Sequence, residues 1–90
     1  MKKDILDKVL KILNANIEKT EITSEQMEDD LTALGMDSIT FIRIIVAVEE
    51  EFDIEIPDEK ILIIEMNTVS KIVNIISSIS VPYKTDTIGE

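Results

Sequence analysis

The sequence predicts an all-α fold, a small four-helix bundle, on three observations. Apolar residues recur at helical spacing in separate segments; only two Gly and two Pro interrupt 90 residues; and aromatic residues make up 3% of a chain that is 44% hydrophobic. Few turn formers favour long regular elements over a turn-rich sandwich, and scarce aromatics require an aliphatic core, here dominated by Ile. A chain of this length forms one small domain with a compact core. We place the helical domain at residues 1–81 and a flexible tail at 82–90.

The first helix spans about Lys3 to Ile17. Ile5, Val9, Ile12, Leu13 and Ile17 form its apolar stripe, and Asp4 lies near its start, where the helix dipole favours a carboxylate. A long connection follows, from about Glu18 to Asp37, rich in turn and cap formers such as Thr20, Thr23, Ser24, Asp29, Asp30 and Gly35. Loops of this length in small domains tend to be functional. Ile22, Leu31 and Leu34 are its expected anchors, with a helical turn near Ser24 to Met27.

The second helix spans Ser38 to Phe52, capped by Asp37 or Ser38. Phe41, Ile44, Ile45, Val48 and Phe52 make one core face. Ile39, Ile42 and Val46 make a second apolar line, which fits either a wider core contact or a partner-docking strip. After an acidic loop around Pro57, where Ile54 and Ile56 alternate as in a short strand, Ile61 to Ile64 is an unbroken apolar run. We read a short third helix there, because a lone strand has nothing to pair with. The last helix starts near Thr68, buries Val69, Ile72, Val73, Ile76 and Ile79, and stops at Pro82. Two long helices are expected to bracket the second.

Composition excludes several classes of function. The formal net charge of −10 opposes binding to nucleic-acid phosphates or anionic lipid heads and favours partners with basic patches. With no Cys there are no disulfides and no thiolate metal sites, and with no His the commonest general base and metal ligand are missing. The carboxylates from Glu49 to Glu59 lack the alternating ligands and central Gly of a calcium loop and read as solvated surface, so no metal site is expected. No catalytic residue is expected either, since Ser38 has no base to activate it. The start of the chain is not of signal-peptide type, and no segment approaches the roughly 20 apolar residues that span a bilayer. The expectation is a cytoplasmic monomer without membrane insertion.

The informative stretch is Leu34-Gly35-Met36-Asp37-Ser38-Ile39, which sets a serine at the joint between the long loop and a helix. Asp and Ser at a helix start are commonly caps. A helix N-terminus also offers free N–H groups and the positive dipole end, which suit a phosphate on Ser38. These residues alone leave both readings open.

Gly35-Met36-Asp37-Ser38-Ile39, then the helix through Val46-Ala47-Val48-Glu49-Glu50-Glu51-Phe52, then Ile54-Glu55-Ile56-Pro57-Asp58-Glu59, resembles the acyl carrier protein family. Its hallmark is Asp-Ser-Leu at the start of the second helix, followed by a Glu-Glu-Phe-type helix end and an Ile-Pro-Asp-like loop. The resemblance runs from the first helix to about Ile79 and is most specific over residues 34 to 59. It implies that a phosphopantetheinyl transferase attaches 4′-phosphopantetheine to Ser38, using coenzyme A and magnesium, with Asp37 as its recognition residue. The arm's thiol then carries acyl or aminoacyl groups as thioesters, a thiol that this cysteine-free chain cannot supply. The resemblance further implies partners that load and condense these groups and that carry basic docking patches. Ile39, Ile42, Arg43, Val46, Glu49 and Glu50 are the candidate docking residues. Ile39 stands where the family has Leu, Thr40 and Arg43 replace residues that are often acidic in fatty-acid synthesis carriers, and Ile61 to Met66 is longer than in those carriers. These departures imply a specialised carrier, of polyketide, nonribosomal-peptide or related type. Aminoacyl or peptidyl carriage, fatty-acid synthesis and an unmodified acidic docking protein are the alternatives.

Overall fold

The computed structural model describes residues 2–18 and 20–80. It contains three α-helices: α1 (Lys2–Asn16), α2 (Ser38–Phe52) and α3 (Val69–Ser80). Single 3₁₀ turns occur at Ser24–Gln26, Asp58–Lys60 and Ile63–Glu65, and no strand occurs among the described residues. The fold is thus all-helical, but the expected short third helix is not an α-helix. The expected stop at Pro82 and the tail at 82–90 lie outside the described residues.

The third helix fails for a local reason. Leu62 has extended backbone (φ −133°, ψ 138°) and separates the two turns. Ile61 and Ile63 pack against the core while Leu62 and Ile64 stay exposed, at 49% and 69%. An apolar run that faces alternately in and out cannot present one helical face, and its β-branched side chains resist helix formation. The same loop buries Ile56 and half-buries Ile54, which gives it an alternating pattern without a partner strand.

The bundle centres on α1, which packs against both α2 and α3; the expectation that α2 is the bracketed helix is corrected. Besides the predicted stripe, Leu6 and Leu10 also pack on the core. At about 100° per residue, Ile12 to Leu10 cover an arc of roughly 160°. An arc that wide seats two neighbours, whereas one neighbour needs about 100°. Val9 and Leu13 of α1, Ile44 and Val48 of α2, and Val69, Ile72 and Ile76 of α3 are fully buried.

The long first loop is held at several points. Thr23 and Gln26 form a capping box around the first 3₁₀ turn, in which the Thr23 N–H donates to Gln26 Oε1 at 2.9 Å. Ile22 and Leu31 are buried as expected, and Leu34 is half-buried. The start of α3 receives the loop through two backbone bonds, Leu31 N–H to Asn67 O at 2.7 Å and Ser70 N–H to Met27 O at 3.0 Å. Thr68 caps α3, accepting from the Lys71 N–H at 3.1 Å. A further clamp comes from Asn14. Its amide donates to Ile22 O at 2.8 Å and its carbonyl accepts from the Ile22 N–H at 2.7 Å, so that one side chain pairs both backbone groups of a buried residue. A side chain that pairs both backbone groups of another residue in this way is expensive to lose, because it leaves a donor and an acceptor unpaired at a partly buried position.

Two stability predictions follow from these contacts. Asn14→Ala leaves the Ile22 N–H and C=O without partners and is expected to cost about 2–3 kcal/mol in urea unfolding. Asp53, which ends α2, has a left-handed backbone (φ 54°, ψ 50°) that glycine adopts without a Cβ penalty. Asp53→Gly is expected to raise stability in the same assay by about 0.5–1 kcal/mol.

Candidate functional site

The approach to Ser38 is built by a helix-like turn that closes on itself. Ala33 and Leu34 donate to Asp30 O and Leu31 O, both at 3.0 Å. The Met36 N–H reaches back to Leu31 O at 3.0 Å and the Gly35 N–H to Thr32 O at 3.4 Å. This pair of bonds is the Schellman arrangement, which needs a residue of positive φ at its end. Gly35 supplies it, with φ 117°. Met36 and Leu31, the two side chains such a turn brings together, both sit in the buried core. Asp30 braces the turn by accepting from the Thr32 hydroxyl at 2.7 Å and the Thr32 N–H at 3.0 Å. The Thr32 hydroxyl first, then its N–H, hold the Asp30 carboxyl below its ordinary pKa.

Burial of Met36 at 2% exposure fixes where the next residues emerge. Asp37 has extended backbone and is the N-cap of α2; Ser38 is the first helical residue. Asp37 Oδ1 accepts from the Thr40 N–H at 2.8 Å. That bond is the main cause of a lowered Asp37 pKa, followed by the Thr40 hydroxyl, with the N–H groups of Asp37 and Ile39 adding to it against a small opposing effect of burial. The sequence offered Asp37 or Ser38 as the cap, and Asp37 takes the role.

Ser38 is exposed, and its hydroxyl makes no hydrogen bond among the described residues. The structure alters one expectation here. Of the helix-end N–H groups expected to receive a phosphate, that of Thr40 is taken by Asp37 Oδ1 and that of Phe41 by Asp37 O, so a group on Ser38 shares the helix end with Asp37 in an open, solvated position. An exposed, unengaged primary hydroxyl on a fixed helix end fits covalent attachment of a flexible arm.

Along α2 the core face is as predicted, with Phe41, Ile44, Ile45 and Val48 buried and Phe52 half-buried. The second apolar line is not a wider core contact: Ile39, Ile42 and Val46 are 67%, 52% and 47% exposed. Arg43 and Glu50 are exposed beside them. Glu49 differs. Its carboxylate accepts from the Ile56 N–H at 2.9 Å and its carbonyl from the Ile54 N–H at 3.1 Å, so it ties the following loop to the end of α2. Sequence reasoning missed this bond, and it missed the exposure of Leu62 and Ile64. Among the described residues, no three acidic side chains converge as a cation site and no helix is long and apolar enough to cross a membrane.

A family model described as the phosphopantetheine attachment site matches residues 4–76. The acyl carrier protein of Buchnera aphidicola subsp. Schizaphis graminum is 40% identical over 78 residues, covering 87% of this chain and 91% of that protein. The chain belongs to the acyl carrier protein family. Similarity extends to the acyl carrier protein of Wolinella succinogenes, 42% identical over 57 residues (63% of this chain, 70% of that protein). It also includes an acyl carrier protein homolog of Mycoplasma pneumoniae, 32% identical over 71 residues (79% and 82%). No solved structure matches. The carrier bears a covalent 4′-phosphopantetheine and is not an enzyme. Carriers of this family are modified by a phosphopantetheinyl transferase and meet acyl-processing enzymes.

Capping by Asp37 makes the carrier's stability depend on pH. A carboxylate whose folded pKa is lowered stabilises the fold above its unfolded pKa, and this is lost as pH falls through the folded value. Thermal unfolding midpoints of the wild type are therefore expected to drop as pH passes from the ordinary carboxylate range to below it. In Asp37→Asn, which keeps an acceptor but no charge, part of that drop disappears; the part due to Asp30 remains.

Proposed function

We propose that the arm is attached to Ser38 and that the carrier holds acyl intermediates on it as thioesters in a specialised pathway with dedicated partners. The observation that supports this most is the exposed, unengaged Ser38 hydroxyl on the first residue of α2, beside an exposed apolar strip. The arm supplies the thiol that forms the thioester. On loading, Ser38 Oγ bonds to the pantetheine-side phosphorus of coenzyme A as the pyrophosphate bond breaks; adenosine 3′,5′-bisphosphate leaves, and the transferase takes the hydroxyl proton.

This chain's own residues act by position. Met36 and the Gly35 turn fix the start of α2, Asp37 holds its first turn and presents a carboxylate to the transferase, and Ser38 stands clear of both. With neither His nor Cys in the chain, no strong nucleophile of its own threatens the cargo. Ile39, Ile42 and Val46 are the apolar docking contacts for loading and condensing enzymes, acyl or aminoacyl. Glu50 is the acid that meets a basic patch, since Glu49 is tied to Ile56.

A second reading, a carrier of fatty-acid synthesis, is supported by the 40% identity to a protein named simply acyl carrier protein. The group found on the protein purified from its host, read by mass spectrometry, separates the two. Attachment itself is tested by intact mass after incubation with coenzyme A, magnesium and a broad-range transferase. The wild type is expected to gain one phosphopantetheinyl group and Ser38→Ala none. An equal gain in both, or none in either, rejects Ser38.

A further inference from the structure

Arg43 is the only arginine in the chain and the only basic residue between Lys19 and Lys60. It is exposed, and the single ion pair among the described residues, Lys8 with Glu51 at 3.6 Å, does not involve it. Its neighbours one helical turn away are Ile39, Thr40, Val46 and Ala47, none of them acidic. No carboxylate on its own helix therefore consumes its charge. At about 100° per residue, Ile39, Ile42, Arg43, Val46 and Glu50 share an arc of roughly 100°, on the side of α2 opposite its core face. Ser38 lies about 140° round the helix from Arg43, so the guanidinium and a phosphate on Ser38 belong to different faces.

The exposed face thus has a polarity. A cation stands near the serine end, an apolar strip surrounds it, and an anion stands about 10 Å further along the axis. That separation exceeds the screening length of roughly 8 Å at physiological salt, so the two charges do not cancel as seen by a docking partner. A uniformly basic docking patch would oppose Arg43 with like charge, which complementary interfaces avoid. Arginine's planar fork suits a carboxylate, which it can grip through two parallel hydrogen bonds.

We propose that this face of α2 receives an acyl-processing enzyme whose docking surface is apolar, with a carboxylate opposite Arg43 and a basic group opposite Glu50. Arg43 is then the residue that decides which enzymes the carrier serves. The proposal rests on the carrier reading but is tested apart from it.

The probe is a bacterial condensing enzyme with a basic docking patch, together with a panel of its variants in which single patch Lys or Arg residues become Glu. Its dissociation constant for the unmodified chain is measured by calorimetry, and its KM for the arm-bearing, acyl-loaded chain by turnover. Arg43→Glu is expected to tighten both about tenfold for the unaltered enzyme, with Arg43→Gln between, because like charge at an interface is removed. With wild-type carrier, at least one Lys→Glu or Arg→Glu enzyme variant is expected to bind about tenfold tighter, and that gain vanishes with Arg43→Glu. Equal binding by wild type and Arg43→Glu overturns the proposal. So does a panel in which every enzyme variant weakens wild type and Arg43→Glu alike. A chain that takes up no arm would reject the carrier reading, yet calorimetry on the unmodified chain would still decide the role of Arg43.

Discussion

The position of Ser38 depends on the burial of a few side chains in the long segment between α1 and α2. Ordering a loop of this length costs conformational entropy at every residue, and little of its backbone is paired within a helix. Ile22, Leu31 and Met36 offset that cost by entering the core, and Asn14 adds a paired backbone clamp where polar groups would otherwise be stranded. With Met36 buried and Gly35 turning the chain behind it, the start of α2 has one place to be. The serine is thereby fixed on a helix end, although its hydroxyl makes no hydrogen bond among the described residues.

The second helix divides its circumference between two tasks. One face packs Phe41, Ile44, Ile45 and Val48 into the core and is insulated from whatever happens outside. The opposite face leaves Ile39, Ile42 and Val46 in water, at a cost in hydration that the fold itself does not require. Arg43 and Glu50 flank that strip with opposite charges. A carrier needs such separation: partners must bind and leave repeatedly without loosening the bundle, and the strip can change character without disturbing a single core contact.

Periodicity was a good guide wherever a long element had one buried face. The three α-helices, the core residues of α2 and the cap at Thr68 could be read from spacing and residue type, and the cap of α2 was narrowed to Asp37 or Ser38. Local chemistry dictates them: an acidic or hydroxyl side chain satisfies free N–H groups, and an apolar residue every third or fourth position makes a stripe. The Ser24–Gln26 turn was legible from Thr23 and its neighbours for the same reason. Ile61 to Ile64 was not legible, because an unbroken apolar run contains no period; only the surroundings that bury Ile61 and Ile63 and expose Leu62 and Ile64 resolve it. Glu49 was misjudged as purely a surface acid because its partner, the Ile56 N–H, lies across a turn that no spacing rule encodes.

The residues by themselves determined that this chain is helical and aliphatic-cored, that it carries neither Cys nor His, and that Asp37-Ser38 stands at a helix start, since each of these follows from short-range pattern or composition. Tertiary structure decided which helix is central, because only the assembled bundle reveals that the wide arc of α1 faces two neighbours. It also decided that the second apolar line of α2 faces water, that Asp37 takes the Thr40 N–H at the start of that helix, and that no ion pair among the described residues involves Arg43. Each of these is a question of what lies opposite a side chain in space, and a sequence states only what lies next to it along the chain.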